Sequence, residues 1–494
     1  MVLPVVHLAV RATEAPDLVD LLTSRRVTEA TASTLVLAAT VTSIAAALGV
    51  AMAWVLERTD VPAHRLLGIW AALPLVVPTY VLATAFKDAF GPGALLFELP
   101  GVVGFRGTAT ALALSTYPYV LLVARAALAS VDPALEEAAR SLGDGRRRAF
   151  ARVTLPLVRP AVAAGGLLVF LYVLSDFGAV AILRYRTLTM AIFTEYRTSF
   201  DRSTPAAFGV VLVALTVVAV ALERVARGRA TVTRAVAGTR TPVRQRLGPM
   251  RWPVAIAVAA VPAVAVAVPA AVLVYRASLS TGRSEPAGVV ARAAVTSVGL
   301  SLAAAAACVV LSIPISVLVA RFRSRAAGVV EVSVVAGYAL PGLVIALALV
   351  FFSSRYAPVV YQTATLVVAA YVVRFFPEAL GASRSAVAAV DPALEDAARS
   401  LGDTRWRAVR RVTVPLVRRG LFAGGALVFL TAMKELPATL LLRPAGYDTL
   451  ATRVWTGAVE GFYRQAAPSA LLLLVVSAFA LGPLVRGARQ VSPS

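Results

Sequence analysis

The chain has 494 residues, 59% of them hydrophobic and 15% charged, with a mean hydropathy of +0.80. Soluble domains carry roughly 25% charged residues, and a water-facing exterior cannot be built around this much apolar surface, so a soluble enzyme is excluded. The net charge of +22 resides mostly in arginines between apolar blocks, which fits loops facing an anionic membrane surface and argues against a nucleic-acid partner.

A spanning helix needs about 20 mostly apolar residues. In chain order the apolar blocks predict spans at 33–56, 67–87, 108–129, 161–183 and 205–222, then at 253–275, 293–320, 327–352, 361–381, 420–442 and 469–489. Pro74, Pro78, Pro314, Pro341 and Gly342 fall inside these blocks and are expected to kink them. Residues 1–12, MVLPVVHLAVRA, are too short to cross. Pro4, Arg11 and Ala12 match Pro269, Arg276 and Ala277 at a constant offset of 265, so this segment reads as the end of a first helix that begins upstream of Met1 or has been lost. The expectation is an all-α polytopic membrane protein with 11 complete spans and an N-terminal partial span, 12 in an intact form. Cys308 is solitary within an apolar block, and His7 and His64 are far apart, so no metal-ligand spacing is present and metal sites stay unknown.

Arg224, Arg227, Arg229, Arg234, Arg240, Arg244, Arg246 and Arg251 crowd the 223–251 segment, which makes it cytoplasmic. Arg321, Arg323 and Arg325 place a second loop on that side. Counting spans from these anchors puts the loops at 130–160 and 382–419 there too.

Those two loops are copies. Residues 131–160 and 390–419 are identical at twenty-three of thirty positions with an offset of 259, so the chain is two fused units. In each copy an Asp-Pro pair, Asp132-Pro133 or Asp391-Pro392, supplies an N-cap and a first-turn proline. Leu135, Ala138, Ala139 and Leu142, like Leu394, Ala397, Ala398 and Leu401, recur at helical spacing, and Gly143 or Gly402 follows as a left-handed cap. The small apolar face suits a protein cleft, with arginines and Glu136, Glu137, Glu395 and Asp396 pairing around its rim. A surface-lying amphipathic helix is the plainer alternative. The boundaries read as 1–226 for the first repeat with its loop at 130–160, 227–251 for the basic linker, and 252–494 for the second repeat with its loop at 389–419.

EEAARSLG at 136–143 and EDAARSLG at 395–402, each followed by an apolar-Pro segment, resemble the E-A-A-x-x-x-G signature loop of binding-protein-dependent ABC importer permeases of the fused, double-length subgroup. Asp396 is a mild departure. The resemblance implies a permease that switches by alternating access in a bacterial plasma membrane. It also implies that Glu136, Glu137, Ala138 and Gly143 form one docking site, and Glu395, Asp396, Ala397 and Gly402 the other, for two copies of a cytoplasmic ABC ATPase. An external solute-binding protein would deliver cargo. The chain has no G-x-x-x-x-G-K-[ST] loop, so ATP and Mg belong to the partner ATPase; this chain binds no cofactor, has no catalytic residues and is not an enzyme. FLYVLSDFGAVAIL at 170–183 and FLTAMKELPATLLLRPAGYDTLA at 429–451 are similar to ferric-iron transport permeases, which implies iron as cargo. Fused thiamine permeases are close relatives, and sulfate, spermidine and putrescine permeases more remote. A non-transport membrane scaffold or enzyme is the rival from another class.

Asp176, Lys434 and Glu435 lie in or near the ends of spans 161–183 and 420–442, and Asp176 aligns with Glu435 at offset 259. Charges in hydrocarbon are expensive and face a bundle interior or a water-filled path. A pathway or gate role and a structural ion pair, Lys434 with a carboxylate on another helix, both remain open.

The orientation is directly testable. In a chain freed of Cys308, a cysteine replacing Ala237 should resist a membrane-impermeant thiol reagent in intact cells and react after permeabilisation. Labelling from outside would invert the topology.

Overall fold

Amides placed in hydrocarbon have no water to pair with, so apolar runs of this length close their hydrogen bonds internally as helices. A computed structural model describes residues 2–14, 18–199, 203–229, 244–279, 286–321 and 340–489, with Gly328 and Gly337. It is all-α; an isolated β-bridge joins Thr59 and Gln245. The chain divides into two compact units.

One unit comprises Val19–Thr198 and Val211–Arg276. Its centre is three mutually packed helices, Arg25–Arg58, Phe105–Ser130 and Leu155–Ser175. Small residues let them approach: a Cβ added to Gly49 would meet the Leu121 amide nitrogen at 2.8 Å. The other unit comprises Met1–Leu18, Ser199–Val210 and Ala277–Ser494, and repeats the trio with Ala287–Arg321, Ala364–Ala388 and Val414–Met433. A side-chain bond recurs as well. The Leu188 amide donates to Thr34 Oγ1 and the Leu450 amide to Ser297 Oγ, at 2.9 and 2.8 Å.

The expected span count is corrected. Among the described residues, eight helices are long and apolar enough to cross a membrane, or nine if one bent pair counts as a single span. The bent pair is His64–Val76 with Thr79–Phe90, where the block at 67–87 turns by 91° at Val77-Pro78. A proline has no N–H to donate and biases the residue before it away from helix. Apart from Gly328 and Gly337, residues 327–339 lie outside the described residues, and the helix that follows is Gly342–Tyr356, fifteen residues. At 1.5 Å per residue that is about 22 Å, short of the hydrocarbon thickness. The block at 469–489 lies within the helix Tyr463–Arg489, of which the stretch Tyr463–Phe479 falls among the shorter apolar helices. The blocks at 161–183 and 420–442 break at Asp176 and Lys434, after helices ending at Ser175 and Met433. Hydropathy counts apolar residues; it does not register where the helix stops. Most of the basic linker, residues 230–243, lies outside the described residues.

The N-terminal segment forms the helix Val2–Thr13 and packs on Gly342–Tyr356, with the His7 ring edge-on to Phe352 and Tyr356. In the other unit Val272, on the helix Val268–Ser278, packs with Ala85 and Ala89 of Thr79–Phe90. The offset of 265 pairs His7 with Val272, so the sequence match and the packing agree. Arg276 ends that contact with a two-pronged ion pair to Asp88, Nε to Oδ2 at 2.8 Å and an NH2 to Oδ1 at 2.5 Å, both side chains largely buried.

Removing one partner of a buried pair strands the other charge. Asp88→Asn should therefore cost about 3 kcal/mol, read as a lower unfolding temperature in detergent. The double change Asp88→Leu, Arg276→Met should cost less than either single change. Equal or greater loss in the double variant would show that the pair is net stabilising in its own right.

Candidate functional site

Each duplicated loop folds as a nine-residue helix, Pro133–Ser141 or Pro392–Ser400. The Asp132 and Asp391 carboxylates accept from the Ala134 and Ala393 amides at 2.9 Å, satisfying donors that a helix start leaves open. Gly143 and Gly402 end the helices at φ +96° and +97°, a region that suits a residue with no Cβ. A turn of helix, Arg146–Ala149 or Arg405–Ala408, then runs through a π-helical turn, Phe150–Thr154 or Val409–Thr413. Pro156 and Pro415 lie two residues beyond it; their missing N–H and ring crowding disfavour a regular α-helical bond there. Asp144 draws Arg152 to 3.4 Å, and Asp403 draws Arg411 to 3.4 Å.

The four acidic residues expected at the rim separate into two kinds. Glu137 and Asp396 are exposed. Glu136 and Glu395 turn inward, where they accept from the Thr154 and Thr413 hydroxyls. Ala138 and Ala397 are exposed beside Glu137 and Asp396. Beyond the expected docking sets lie Leu142 and Leu401, 89% and 90% exposed at the loop tips, with Leu135 and Leu394 one face-repeat earlier. Their seven-residue spacing was the available signal: it puts each pair on one stripe.

Within the membrane core, Asp176 and Glu435 occupy the breaks after Leu155–Ser175 and Val414–Met433. Each caps the short helix that follows: the Ala179 amide donates to Asp176 Oδ1 at 3.0 Å and the Ala438 amide to Glu435 Oε1 at 3.1 Å. The Thr79 hydroxyl also donates to Asp176, at 2.6 Å. At the matching position of the second repeat stands Gly342. A Cβ there would lie 1.3 Å from a guanidinium nitrogen of Arg374, which instead reaches Glu435 Oε1 at 3.0 Å. Lys434 lies in the electrostatic reach of Glu378, whose carboxylate accepts from the Thr431 hydroxyl at 2.9 Å.

Arg374 and Glu378 escaped the sequence reading although both fall inside the block at 361–381. The rule that singled out Asp176, an ionisable residue within a span, would have found them. At offset 259 the set Arg374, Glu378, Thr431, Lys434, Glu435 corresponds to Ser115, Tyr119, Tyr172, Ser175, Asp176. The Tyr119–Tyr172 ring contact of the first repeat is thus replaced by the Glu378–Thr431 hydrogen bond in the second.

A duplicated bundle of broken membrane helices with polar cores and matching loop helices defines a transport permease. The chain belongs to the family of binding-protein-dependent transport system inner membrane components, whose pattern matches residues 30–231 and 312–487. It is 33% identical over 482 residues to the Fe(3+)-transport system permease protein FbpB 2 of Haemophilus influenzae, covering 96% of this chain and 93% of that protein. Against the molybdenum transport system permease protein ModB of Escherichia coli it is 33% identical over 199 residues, 37% of this chain and 87% of that one. Against the sulfate transport system permease protein CysT of Salmonella typhimurium it is 34% identical over 167 residues, 33% and 60% of the two chains. The chain is a multi-pass inner-membrane permease subunit of an ABC importer for a small polar or ionic solute, and is not itself an enzyme. Membership implies an ATPase and an extracytoplasmic binding protein alongside it.

A β-branched residue at positive φ is strained by about 1–2 kcal/mol. Gly143→Val with Gly402→Val should loosen both loop ends and reduce transport, while membrane insertion is preserved. Hydrogen-exchange protection across 133–145 and 392–404, measured with uptake, tests this; unchanged protection and uptake would count against it.

Proposed function

We propose that this permease imports ferric iron by alternating access, driven by two ATPase copies seated on the helices Pro133–Ser141 and Pro392–Ser400. The observation that carries the cargo assignment is the extent of likeness. The iron-transport relative matches both repeats over nearly the whole chain, whereas the molybdenum and sulfate relatives match about one repeat each. The chemistry is compatible. Ferric iron is a hard ion that prefers oxygen ligands, and Asp176, Glu378 and Glu435 supply carboxylates within the helical cores. Among the described residues no three His, Cys, Asp or Glu converge as a metal-holding group. Successive weak contacts suit a cargo that must leave as readily as it enters. Asp176, Lys434 and Glu435 act in this reading as pathway or gate residues, because each sits where a spanning helix breaks.

Arg374 and Lys434 favour a second reading, an oxyanion cargo like those named for the molybdenum and sulfate relatives. Uptake into vesicles containing the permease, its ATPase and its binding protein separates the two. Radiolabelled ferric iron should accumulate only with ATP and resist competition by molybdate, sulfate and thiamine. Glu435→Gln should lower iron uptake by about tenfold or more, the scale of a lost charge-assisted contact. ATP-dependent molybdate accumulation without iron uptake would replace this proposal with the second reading.

A further inference from the structure

The inward turn of Glu136 and Glu395 separates two jobs within one short motif. In the first repeat, Arg58 is the last residue of the helix Arg25–Arg58. Its guanidinium donates to the Leu128 carbonyl, near the end of Phe105–Ser130, at 3.3 Å and stands 3.8 Å from Glu136. Glu136 in turn accepts from Thr154, at the foot of Leu155–Ser175. One carboxylate and one guanidinium therefore join the loop helix to all three helices of the central trio.

The second repeat builds the same knot from its own residues. Arg321 ends Ala287–Arg321, donates to the Val390 carbonyl at 2.8 Å and to Glu395 at 3.2 Å, and Glu395 accepts from Thr413 at 2.7 Å. The side chains are mostly withdrawn from solvent, 8% and 27% exposed in the first pair and 13% and 16% in the second. In both repeats the arginine Nε is buried without a hydrogen-bond partner, which leaves one donor unused. An open groove of about 500 Å³ lies beside the second pair, lined by Pro314, Val317, Leu318, Trp406 and Val409 together with Arg321 and Glu395.

A carboxylate already committed to an arginine and a threonine of its own unit is poorly placed to bind another subunit. Its exposed neighbour is better placed: Glu137 and Asp396 face solvent, and although Arg399 reaches Asp396 at 3.0 Å, that pair is itself exposed and cheap to break. We propose that Glu136 and Glu395, unlike the Glu137 and Asp396 beside them, are not contacts of the ATPase but positioning residues that tie each loop helix to the three membrane helices and so transmit its movement to them. This rests on the coupling-loop reading above.

The permease purified with its ATPase and binding protein, in vesicles, provides the test. Three quantities are read: ATPase subunits retained per permease, ATP hydrolysed, and cargo taken up per ATP. Glu136→Gln with Glu395→Gln should retain the ATPase in full and continue hydrolysis, with uptake per ATP falling by about tenfold, the range of a coupling free energy between sites. Thr154→Val with Thr413→Val leaves both carboxylates in place and should give a smaller fall in the same ratio, which keeps the test open if the glutamine variant folds poorly. Glu137→Gln with Asp396→Asn should instead lose the ATPase, with normal uptake per ATP in the complexes that remain. Loss of ATPase retention from the Glu136/Glu395 variant would overturn the proposal, because those residues would then be docking contacts. Full retention and unchanged uptake per ATP in all three variants would overturn it by a different route, through failure of the coupling-loop reading itself.

Discussion

Every amide and carbonyl that lies in hydrocarbon needs a partner inside the protein, and the need is sharpest where a helix stops partway. Asp176 and Glu435 meet that need by capping the short helices that follow them. In the first repeat the carboxylate has a second attachment, the Thr79 hydroxyl, just past the Pro78 kink. Two discontinuities, the break after Ser175 and the bend at Pro78, thus meet at one side chain. In the second repeat Gly342 follows Pro341 in the same way, but offers no side chain, and Arg374 fills the space to reach Glu435. A carboxylate in such a position supports the backbone at the break, and that structural role does not exclude the pathway role proposed for Asp176 and Glu435.

The two repeats have diverged unevenly, and the unevenness has a physical pattern. The loops agree at twenty-three of thirty positions, whereas 105–130 and 364–389, the helices leading into them, agree at six of twenty-six. The loops also agree in detail, down to the aspartate caps, the glycine dihedrals and the π-helical turns. On the proposed docking of two ATPase copies, a surface that fits the same partner twice is constrained to stay alike. The helices that lead into the loops are under no such constraint. The ionisable set Arg374, Glu378 and Lys434 has only Ser115, Tyr119 and Ser175 opposite it in the alignment, so charge is concentrated on one repeat.

What the sequence made legible followed from local rules. The duplication, the loop helix, its aspartate cap and its glycine stop each rest on a few adjacent residues, and the match of residues 1–12 to 266–277 recurs in the packing of His7 and Val272. What stayed hidden depended on geometry between elements. Hydropathy merged the helix Leu155–Ser175 with the short Gly178–Ile182 into one expected span, because the residues on both sides of Asp176 are apolar. The same averaging passed over the bend at Pro78. Glu136 and Glu137 are adjacent and chemically equal in sequence. The positions of Arg58, seventy-eight residues upstream, and of Thr154, eighteen downstream, separate the inward carboxylate from the outward one.

A nine-residue helix has no core of its own, and isolated helices of that length are marginal in water. To move membrane helices it must be held rigidly by links to them, and exposed ion pairs such as Arg399 with Asp396 contribute little each. The withdrawn links are therefore the ones that matter. Arg58 and Arg321 bind backbone carbonyls at the entry to the loop, and Thr154 and Thr413 stand at its exit. Glu136 and Glu395 close the connection between entry and exit. In the proposed coupling, a push on the exposed leucines at the tip would move the loop as one piece, because its two ends are tied to each other as well as to the membrane unit. Without that closure the two strands of the loop could yield separately, and partner movement would be lost in the π-helical turn before it reached Leu155 or Val414.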